Sequence, residues 1–246
     1  MKILSIGNSF SEDAHVYLRA LAEQRSIDLE TVNLAIGGCS LQAHWENIEK
    51  CNANYLHNVN GGEGWDKELV TIEEILKSEQ FDAITLQQVS GFSGQYETYQ
   101  PYLDNIISFV RKHQPNARLY LHRTWAYEID STHGDFPKYD CDQQKMYQSI
   151  CKTTEKIANE IGATLIKSGD VIQALRENVS KFDYKNGGES LCRDGFHMSV
   201  TGRYAIALVW LATLTDKPVE PLPFGELDLE TITEICTVVN KTVFNQ

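Results

Sequence analysis

The sequence is short of positive charge. Its 246 residues include 22 lysines and arginines against 34 aspartates and glutamates, which gives a formal net charge of −12. The acidic residues are scattered along the chain, so the surface field repels phosphate backbones and anionic lipid headgroups. We therefore expect neither a nucleic acid nor a membrane as a partner.

The start of the sequence lacks a long apolar run. One lysine and a few apolar residues precede Gly7 and Asn8, and this segment is too short for the core of a signal peptide or for a membrane span. The chain as given is therefore expected to be cytoplasmic, unless a leader has been removed from it.

Several cofactor and metal patterns are also missing. The six cysteines form no CxxC pair, and the seven histidines form neither HxH nor HExxH, so the spacing of a zinc site is absent. Neither GxGxxG nor GxxxxGK[ST] occurs, which argues against a nucleotide-binding or flavin-binding module of similar architecture. We expect reduced, mostly structural cysteines, no metal and no cofactor.

Apolar runs alternate with helix-like stretches along the whole chain. The runs predict buried strands at Lys2–Ile6, Leu29–Ile36, Ala83–Leu86, Arg118–His122 and Ala163–Ile166. Helical spacing of apolar residues predicts helices at Asp13–Arg25, Tyr99–Lys112, Cys141–Ile161, Ser199–Leu214 and Leu229–Val243. No repeat, linker or domain boundary is visible. The alternation predicts a single α/β domain over residues 1–246, with a parallel sheet of about five strands covered by helices on both faces.

Two segments are longer than a strand–helix repeat requires. His44–Lys77 is expected to be helical with a glycine-rich break at Gly61–Gly64, and Glu128–Asp140 is the second such segment. Excursions of this length are typical of lids or pocket walls. Trp45 and Trp65 fit a cleft wall and core packing equally well.

Ser9 follows the first predicted strand, in the turn Gly7-Asn8-Ser9-Phe10. In open α/β sheets, ligands bind beyond the carboxyl ends of the strands. The start of the following helix leaves free N–H groups that can hold an oxyanion. Because serine is also a favoured helix cap, its position alone leaves Ser9 open between a nucleophile and a cap.

A second motif, Asp194-Gly195-Phe196-His197, lies near the end of the chain. A serine nucleophile needs a base, and the imidazole of that base needs a carboxylate to fix its tautomer. An aspartate and a histidine three residues apart, on a loop that enters a helix, can supply both. Alone, this spacing is a common chance pattern.

Together, the two motifs resemble those of the SGNH or GDSL-type hydrolases, and the resemblance spans nearly the whole chain. That family has a nucleophile in a Gly-Asp-Ser turn after strand one and a late Asp-x-x-His. The Gly-Asn-Ser-Phe opening, with Asn8 in place of aspartate, is similar to a bacterial branch of the family. The resemblance implies a flavodoxin-like, three-layer αβα sandwich. It also implies an ester hydrolase that forms an acyl-enzyme on Ser9 with His197 and Asp194.

The resemblance further implies an oxyanion hole built from the Ser9 N–H and from groups after strands two and three. Gly38 matches the family's glycine, with Gly37 as the alternative one residue away. The family's asparagine is absent, and Gln87 and Gln88 stand in that region. A glutamine amide can donate the same hydrogen bond, and carbohydrate acetylesterase branches look similar. Gln88 is therefore the favoured donor and Gln87 a substrate contact, while capping of the strand end is the alternative for either.

Two aromatic residues, Trp125 and Tyr127, follow the fourth predicted strand. They are expected to contact substrate, by stacking on a sugar or lining an acyl pocket, or else to pack in the core. The expected substrate is a small-molecule or glycan ester with a short acyl group, above all O-acetyl on carbohydrate. The alternatives are a lipase-type or thioesterase-type acylhydrolase and a catalytically silent relative that binds glycans or other ligands. The sequence does not indicate an oligomeric state.

Overall fold

The computed structural model describes residues 1–62 and 68–244. Gly64 of the predicted break and Trp65, for which a cleft wall and core packing were equally open, lie outside the described residues. A six-stranded sheet with the strand order β3-β2-β1-β4-β5-β6 forms the centre of the fold. Its strands are β1 (Lys2–Gly7), β2 (Glu30–Ala35), β3 (Leu56–Val59), β4 (Ala83–Leu86), β5 (Arg118–His122) and β6 (Thr164–Ile166).

The five strands β2, β1, β4, β5 and β6 are parallel to one another, and β3 pairs antiparallel to β2 at one edge. Among the parallel strands, the order is that of a flavodoxin-like sheet. The chain passes from β1 to β2 on one side and later continues with β4 on the other side of β1. The prediction of a doubly wound α/β fold is confirmed. The antiparallel edge strand was not predicted.

Helices cover both faces of the sheet. They are α1 (Ser9–His15), α2 (Leu18–Gln24), α3 (Leu41–Glu49), α4 (Ile72–Ser78), α5 (Tyr102–His113), α6 (Gln143–Ile161), α7 (Ser168–Asn178), α8 (Val200–Thr215) and α9 (Leu229–Phe244). In the described part of the chain, no helix combines the length and the apolarity needed to cross a lipid bilayer.

Two apolar cores lie on opposite faces of the sheet. Side chains alternate along a strand, so on β1 Ile3 packs into one core while Leu4 and Ile6 pack into the other. The first core joins the sheet to helices that include α1, α2, α7, α8 and α9, and the second joins it to α3, α4 and α5. Helix α8 is apolar on nearly all sides because it is buried between the sheet and neighbouring helices.

Two predicted segments need correction, and one helix lies outside the predictions. His44–Lys77 is not mainly helical, because it contains the end of α3, strand β3 and part of α4. The predicted helix Asp13–Arg25 is two short helices, since α1 ends at His15 and α2 begins at Leu18. Helix α7 was not predicted. Glu128–Asp140 is a long excursion, as expected, with one short 3₁₀ turn at Phe136–Tyr139.

Candidate active site

The turn after β1 is built around close contacts. Gly7 ends the strand, and a Cβ there would lie 2.5 Å from Ser11 Oγ, so only glycine fits without displacement. Asn8 caps α1, and its Oδ1 accepts the Phe10 N–H at 3.1 Å. Ser9 is therefore the first residue of α1, at the carboxyl end of the central strand β1.

The Asp194–His197 segment is a tight loop held by its own backbone. Asp194 Oδ1 accepts the N–H of Phe196 at 3.2 Å and that of His197 at 2.7 Å. Arg193 N–H donates to the His197 carbonyl at 2.8 Å and closes the loop. Gly195 has φ +87°, which glycine adopts without the steric cost that a side chain would bring.

The structure brings the three predicted catalytic residues together, although Ser9 and His197 are 188 positions apart in the sequence. His197 Nε2 lies 2.9 Å from Ser9 Oγ, and His197 Nδ1 lies 2.7 Å from Asp194 Oδ2. Burial raises the pKa of Asp194, but the hydrogen bonds from His197 and Phe196 outweigh it, so the pKa is below its ordinary value. Asp194 is thus held as a carboxylate facing the imidazole.

Asp13 joins the two halves of this site, and the sequence indicated it only as the first residue of a predicted helix. It lies on α1 and is 1% exposed. Its Oδ1 accepts from Arg193 Nη1 at 2.9 Å and Arg203 Nε at 2.8 Å, and its Oδ2 accepts the Met198 N–H at 2.7 Å. The carboxylate therefore ties the helix that starts with Ser9 to both ends of the histidine loop.

Trp125 and Tyr127 do not face an open site. Both are fully buried. Trp125 stacks on Phe10 with ring centroids 4.2 Å apart and donates from Nε1 to the Phe196 carbonyl at 2.7 Å. The prediction that these two residues contact substrate is wrong, because neither side chain has exposed surface. Trp125 instead supports the histidine loop. Trp45 is partly buried against the second core.

The two glutamines after β4 are both buried and both used inside the protein. Gln88 Nε2 donates to the carbonyl and to the hydroxyl of Thr98, at 3.0 and 3.1 Å, and its Oε1 accepts the Leu41 N–H at 3.0 Å. Gln88 is therefore not free to donate to an oxyanion, and that prediction is corrected. Gln87 Nε2 donates to Asn8 Oδ1 at 2.7 Å, so it lies beneath the Ser9 turn rather than on a substrate surface.

Gly38 occupies a turn after β2, on the same edge of the sheet as Ser9. The turn is closed by the Cys39 N–H, which donates to the Ile36 carbonyl at 3.1 Å, and Gly38 has φ +66°. Within residues 1–62 and 68–244, the backbone N–H groups of Ser9 and Gly38 have no hydrogen-bond partner. Both are thus available to an incoming group.

The described residues contain no group of three or more histidines, cysteines, aspartates or glutamates placed to hold a metal ion. All six cysteines are unpaired; Cys39, Cys192 and Cys236 are buried. The chemistry that this site offers is that of a hydroxyl, an imidazole and a carboxylate in line.

Comparison with known proteins identifies the family. The model of DUF4886, a domain of unknown function, matches residues 2–242. A crystal structure of a DUF4886 family protein from Bacteroides uniformis has a TM-score of 0.90 and 32% sequence identity, and the match covers 99% of this chain and 95% of that one. Among curated proteins, none matches the chain.

More distant solved structures share the fold. A candidate SGNH hydrolase from Slackia heliotrinireducens has a TM-score of 0.56 at 20% identity, with coverage of 87% of this chain and 98% of that one. A catalytic mutant of an acetylxylan esterase from Geobacillus stearothermophilus has a TM-score of 0.53 at 14% identity, with coverage of 87% and 93%. The chain belongs to the DUF4886 family and has the fold of the SGNH hydrolases.

Proposed function

We propose that this protein is a serine ester hydrolase that cleaves short-chain acyl esters through an acyl-enzyme on Ser9. The observation that carries the proposal is the continuous hydrogen-bonded line from Ser9 Oγ through His197 to Asp194, with distances of 2.9 and 2.7 Å. A serine that only caps a helix needs no such partners. The line matches the geometry of nucleophile, base and orienting carboxylate.

The reaction follows from the hydrogen bonds of His197. The Asp194 carboxylate accepts a hydrogen bond from Nδ1–H of His197, so the proton of the neutral ring stays on Nδ1 and Nε2 is free to take the Ser9 proton. Ser9 Oγ then bonds to the ester carbonyl carbon, and the protonated imidazole returns its proton to the leaving alcohol. Water attacks the acyl-enzyme by the same route, which releases the acid and restores Ser9.

The oxyanion of the tetrahedral intermediate is held by the backbone N–H groups of Ser9 and Gly38. Both are without a partner in the described part of the chain, and the Gln88 amide is committed to Thr98. Loss of one such donor typically costs about a hundredfold or more in rate. The hole therefore rests on two backbone groups, without a side-chain donor from the end of β4.

The test of this proposal is covalent labelling. A fluorophosphonate probe is expected to attach to Ser9 of the wild-type protein, as located by mass spectrometry, and Ser9→Ala is expected to abolish both labelling and p-nitrophenyl acetate hydrolysis. Absence of label on the wild-type protein, or full activity of Ser9→Ala, would refute the proposal. Ligand binding without labelling would favour the silent, glycan-binding alternative.

We further propose O-acetyl groups on carbohydrate as the substrate class. Two observations support this choice. The acetylxylan esterase shares the fold, and a cavity of about 650 Å³, lined by neither Ser9 nor His197, reaches the histidine loop through Glu128. Glu128 of its wall donates its backbone N–H to the Gly195 carbonyl at 2.7 Å, and Gln144, Gln173 and Tyr184 also line it. Groups that both donate and accept hydrogen bonds suit a polyhydroxylated leaving group.

Chain length and the sugar are tested separately. Hydrolysis of p-nitrophenyl acetate is expected to exceed that of the butyrate and octanoate esters, whereas a preference for octanoate would favour the lipase or thioesterase alternative. For acetylated xylo-oligosaccharides, Gln144→Ala is expected to raise KM several-fold, and KM for p-nitrophenyl acetate is expected to stay unchanged. An equal change in KM for both substrates would show that the cavity does not bind the sugar.

A further inference from the structure

A chain of hydrogen bonds crosses the carboxyl ends of the parallel strands, following their order in the sheet. It begins at Ser168, after β6, whose Oγ lies 2.9 Å from Nε2 of His122, the last residue of β5. His122 Nδ1 lies 2.8 Å from Oε1 of Gln87, after β4, and Gln87 Nε2 lies 2.7 Å from Oδ1 of Asn8, after β1. Asn8 Nδ2 lies 3.1 Å from the Cys39 carbonyl, after β2.

Backbone groups fix the direction of every bond at the Asn8 end. The Phe10 N–H can only donate, so the Asn8 atom facing it is Oδ1, and the Cys39 carbonyl can only accept, so the atom facing it is Nδ2. Because Asn8 Oδ1 accepts, Gln87 must present its amino group to it. The Gln87 carbonyl is thereby left to face His122.

The same logic fixes the tautomer of His122. Gln87 Oε1 can only accept, so His122 Nδ1 carries the proton and Nε2 accepts from the Ser168 hydroxyl. Burial lowers the pKa of His122 to about 3, so the ring is neutral and holds this one tautomer. Each hydrogen bond therefore points the same way, from Ser168 to Cys39, and bonds aligned in this manner polarise one another.

The last bond of the chain joins the two segments that carry the proposed oxyanion donors. Asn8 directly precedes Ser9, and Cys39 directly follows Gly38. All five members of the chain are buried, with at most 4% of their surface exposed, so these bonds are shielded from bulk solvent. The Asn8 side chain thus connects the Ser9 turn directly to the backbone of the Gly38 turn.

We propose that Asn8, Gln87 and His122 are positioning residues of the oxyanion hole, with Asn8 as the link that sets the distance between its two backbone donors. This inference rests on the proposed ester hydrolysis. It also gives a reason for asparagine at a position where the resemblance led us to expect aspartate. A carboxylate has no hydrogen to donate to the Cys39 carbonyl, and it would place a negative charge beside that oxygen.

The first test is Asn8→Asp, which keeps the size of the side chain and removes the donor to Cys39. The expected result is a fall in kcat for p-nitrophenyl acetate of at least tenfold, with KM within twofold, because the donors act on the oxyanion and not on the bound ester. Gln87→Met breaks two bonds of the chain at once and is expected to show the same kcat-specific loss. It keeps the proposal testable if Asn8→Asp fails to fold.

The matched control is Thr85→Val. Thr85 lies on β4, is 2% exposed and donates from Oγ1 to Ser5 Oγ at 2.7 Å. Ser5 in turn bonds to His15, and among the described residues this buried group shares no hydrogen bond with the chain from Ser168 to Cys39. Thr85→Val is expected to lower the melting temperature and leave kcat unchanged. A kcat for Asn8→Asp and Gln87→Met that matches wild type, or that matches Thr85→Val, would overturn the positioning role.

A spectroscopic readout separates this inference from the proposed function. In ¹H–¹⁵N spectra, Asn8→Asp is expected to shift the amide signals of Ser9 and Gly38 and the Nδ1 proton of His122, and Thr85→Val is not. Unshifted Gly38 and His122 signals would overturn the inference, whether or not the protein hydrolyses esters. If Asn8→Asp shows these shifts and the wild-type protein takes no fluorophosphonate label, the esterase is refuted and the coupling is established.

Discussion

The two halves of the site are held in different ways. Ser9 stands at the end of the central strand β1, above side chains that are buried and hydrogen-bonded to one another. Asp194 and His197 lie on a loop, with 41% and 20% of their side chains exposed, and distant residues such as Asp13 and Trp125 hold that loop. Ser9, the proposed nucleophile, is thus fixed by the sheet, while its proposed partners depend on a few long-range contacts.

The largest expected effect on kcat comes from a substitution in the more exposed half of the site, the histidine loop. Asp194→Asn removes the carboxylate that fixes the His197 tautomer, so kcat for p-nitrophenyl acetate is expected to fall by roughly 10³–10⁴. The loop backbone bonds to Asp194 Oδ1 can persist with an amide oxygen, so the melting temperature should change little. Unfolding of the variant near room temperature would show that Asp194 acts on structure instead, and activity near wild type would remove it from the triad.

The difference between local contacts at Ser9 and long-range contacts at the histidine loop also decides what could be predicted from sequence. The Ser9 turn has local signals, namely a strand ended by glycine and a capping residue, and the five parallel strands were placed to within a residue at most ends. Asp13 is bound to residues about 180 to 190 positions away, and no local pattern shows such partners. The one feature of the sequence that indicates a buried role for Asp13 is its charge on the apolar side of α1, between Phe10 and Ala14.

The other errors have similar causes. The break between α1 and α2 contains no glycine or proline; it is stabilised by the loop after β3, where the Gly62 N–H donates to the Val16 carbonyl at 3.2 Å. Gly169, the second residue of α7, has a low helix propensity, but a Cβ there would lie 2.2 Å from the Thr124 carbonyl oxygen. Packing therefore overrode local propensity in both places. The same holds for Gln88, whose role depends on Thr98.

The second prediction breaks the link between the two halves. Asp13→Asn removes the charge that binds Arg193 and Arg203, and hydrogen bonds to charged groups of this kind contribute about 2 kcal/mol to the free energy of unfolding. We expect a loss of that size in urea unfolding, together with a fall in kcat of about tenfold or more as the histidine loop loses its position relative to Ser9.

Asp170→Asn is the control for this variant. Asp170 binds Arg123 through both carboxylate oxygens at 2.9 and 3.0 Å, in a pair that does not contact the histidine loop. The Asp170→Asn variant should lower the free energy of unfolding by about as much as Asp13→Asn and leave kcat within twofold of wild type. Equal losses of kcat in the two variants would mean that general destabilisation, not loop position, lowers the activity.

A third prediction concerns histidines that are buried, in contrast to His197. Burial lowers the pKa of His15, His44 and His122 from 6.5 to about 3. These rings form hydrogen bonds with hydroxyl or amide groups. A group with a depressed folded-state pKa binds its proton mainly after unfolding, so stability is full above pH 6.5 and falls as the pH drops towards 3.

With three such groups, the free energy of unfolding is expected to fall by about 4 kcal/mol per pH unit near pH 5.5, at about 1.4 kcal/mol for each proton. Urea unfolding at pH 7, 6 and 5 measures the slope. His44→Gln, in a helix of the other face, should reduce it by about a third. A slope that stays near zero down to pH 5 would show that these rings are protonated in the folded protein.

The smallest expected effect distinguishes the two glycines of the turn after β2. A Cβ added to Gly37 or to Gly38 meets no atom within 4 Å, and only Gly38 has a positive φ, of +66°. Gly38→Ala therefore adds backbone strain of roughly 1–2 kcal/mol without a steric clash, and relief of that strain by rotation of the turn moves the Gly38 N–H away from the oxyanion. We expect kcat to fall several-fold in Gly38→Ala and to stay unchanged in Gly37→Ala. If kcat falls in Gly37→Ala and not in Gly38→Ala, Gly37 is the donor. If kcat is unchanged in both variants, the turn is rigid enough to absorb the strain, because the Cys39 carbonyl ties it to Asn8.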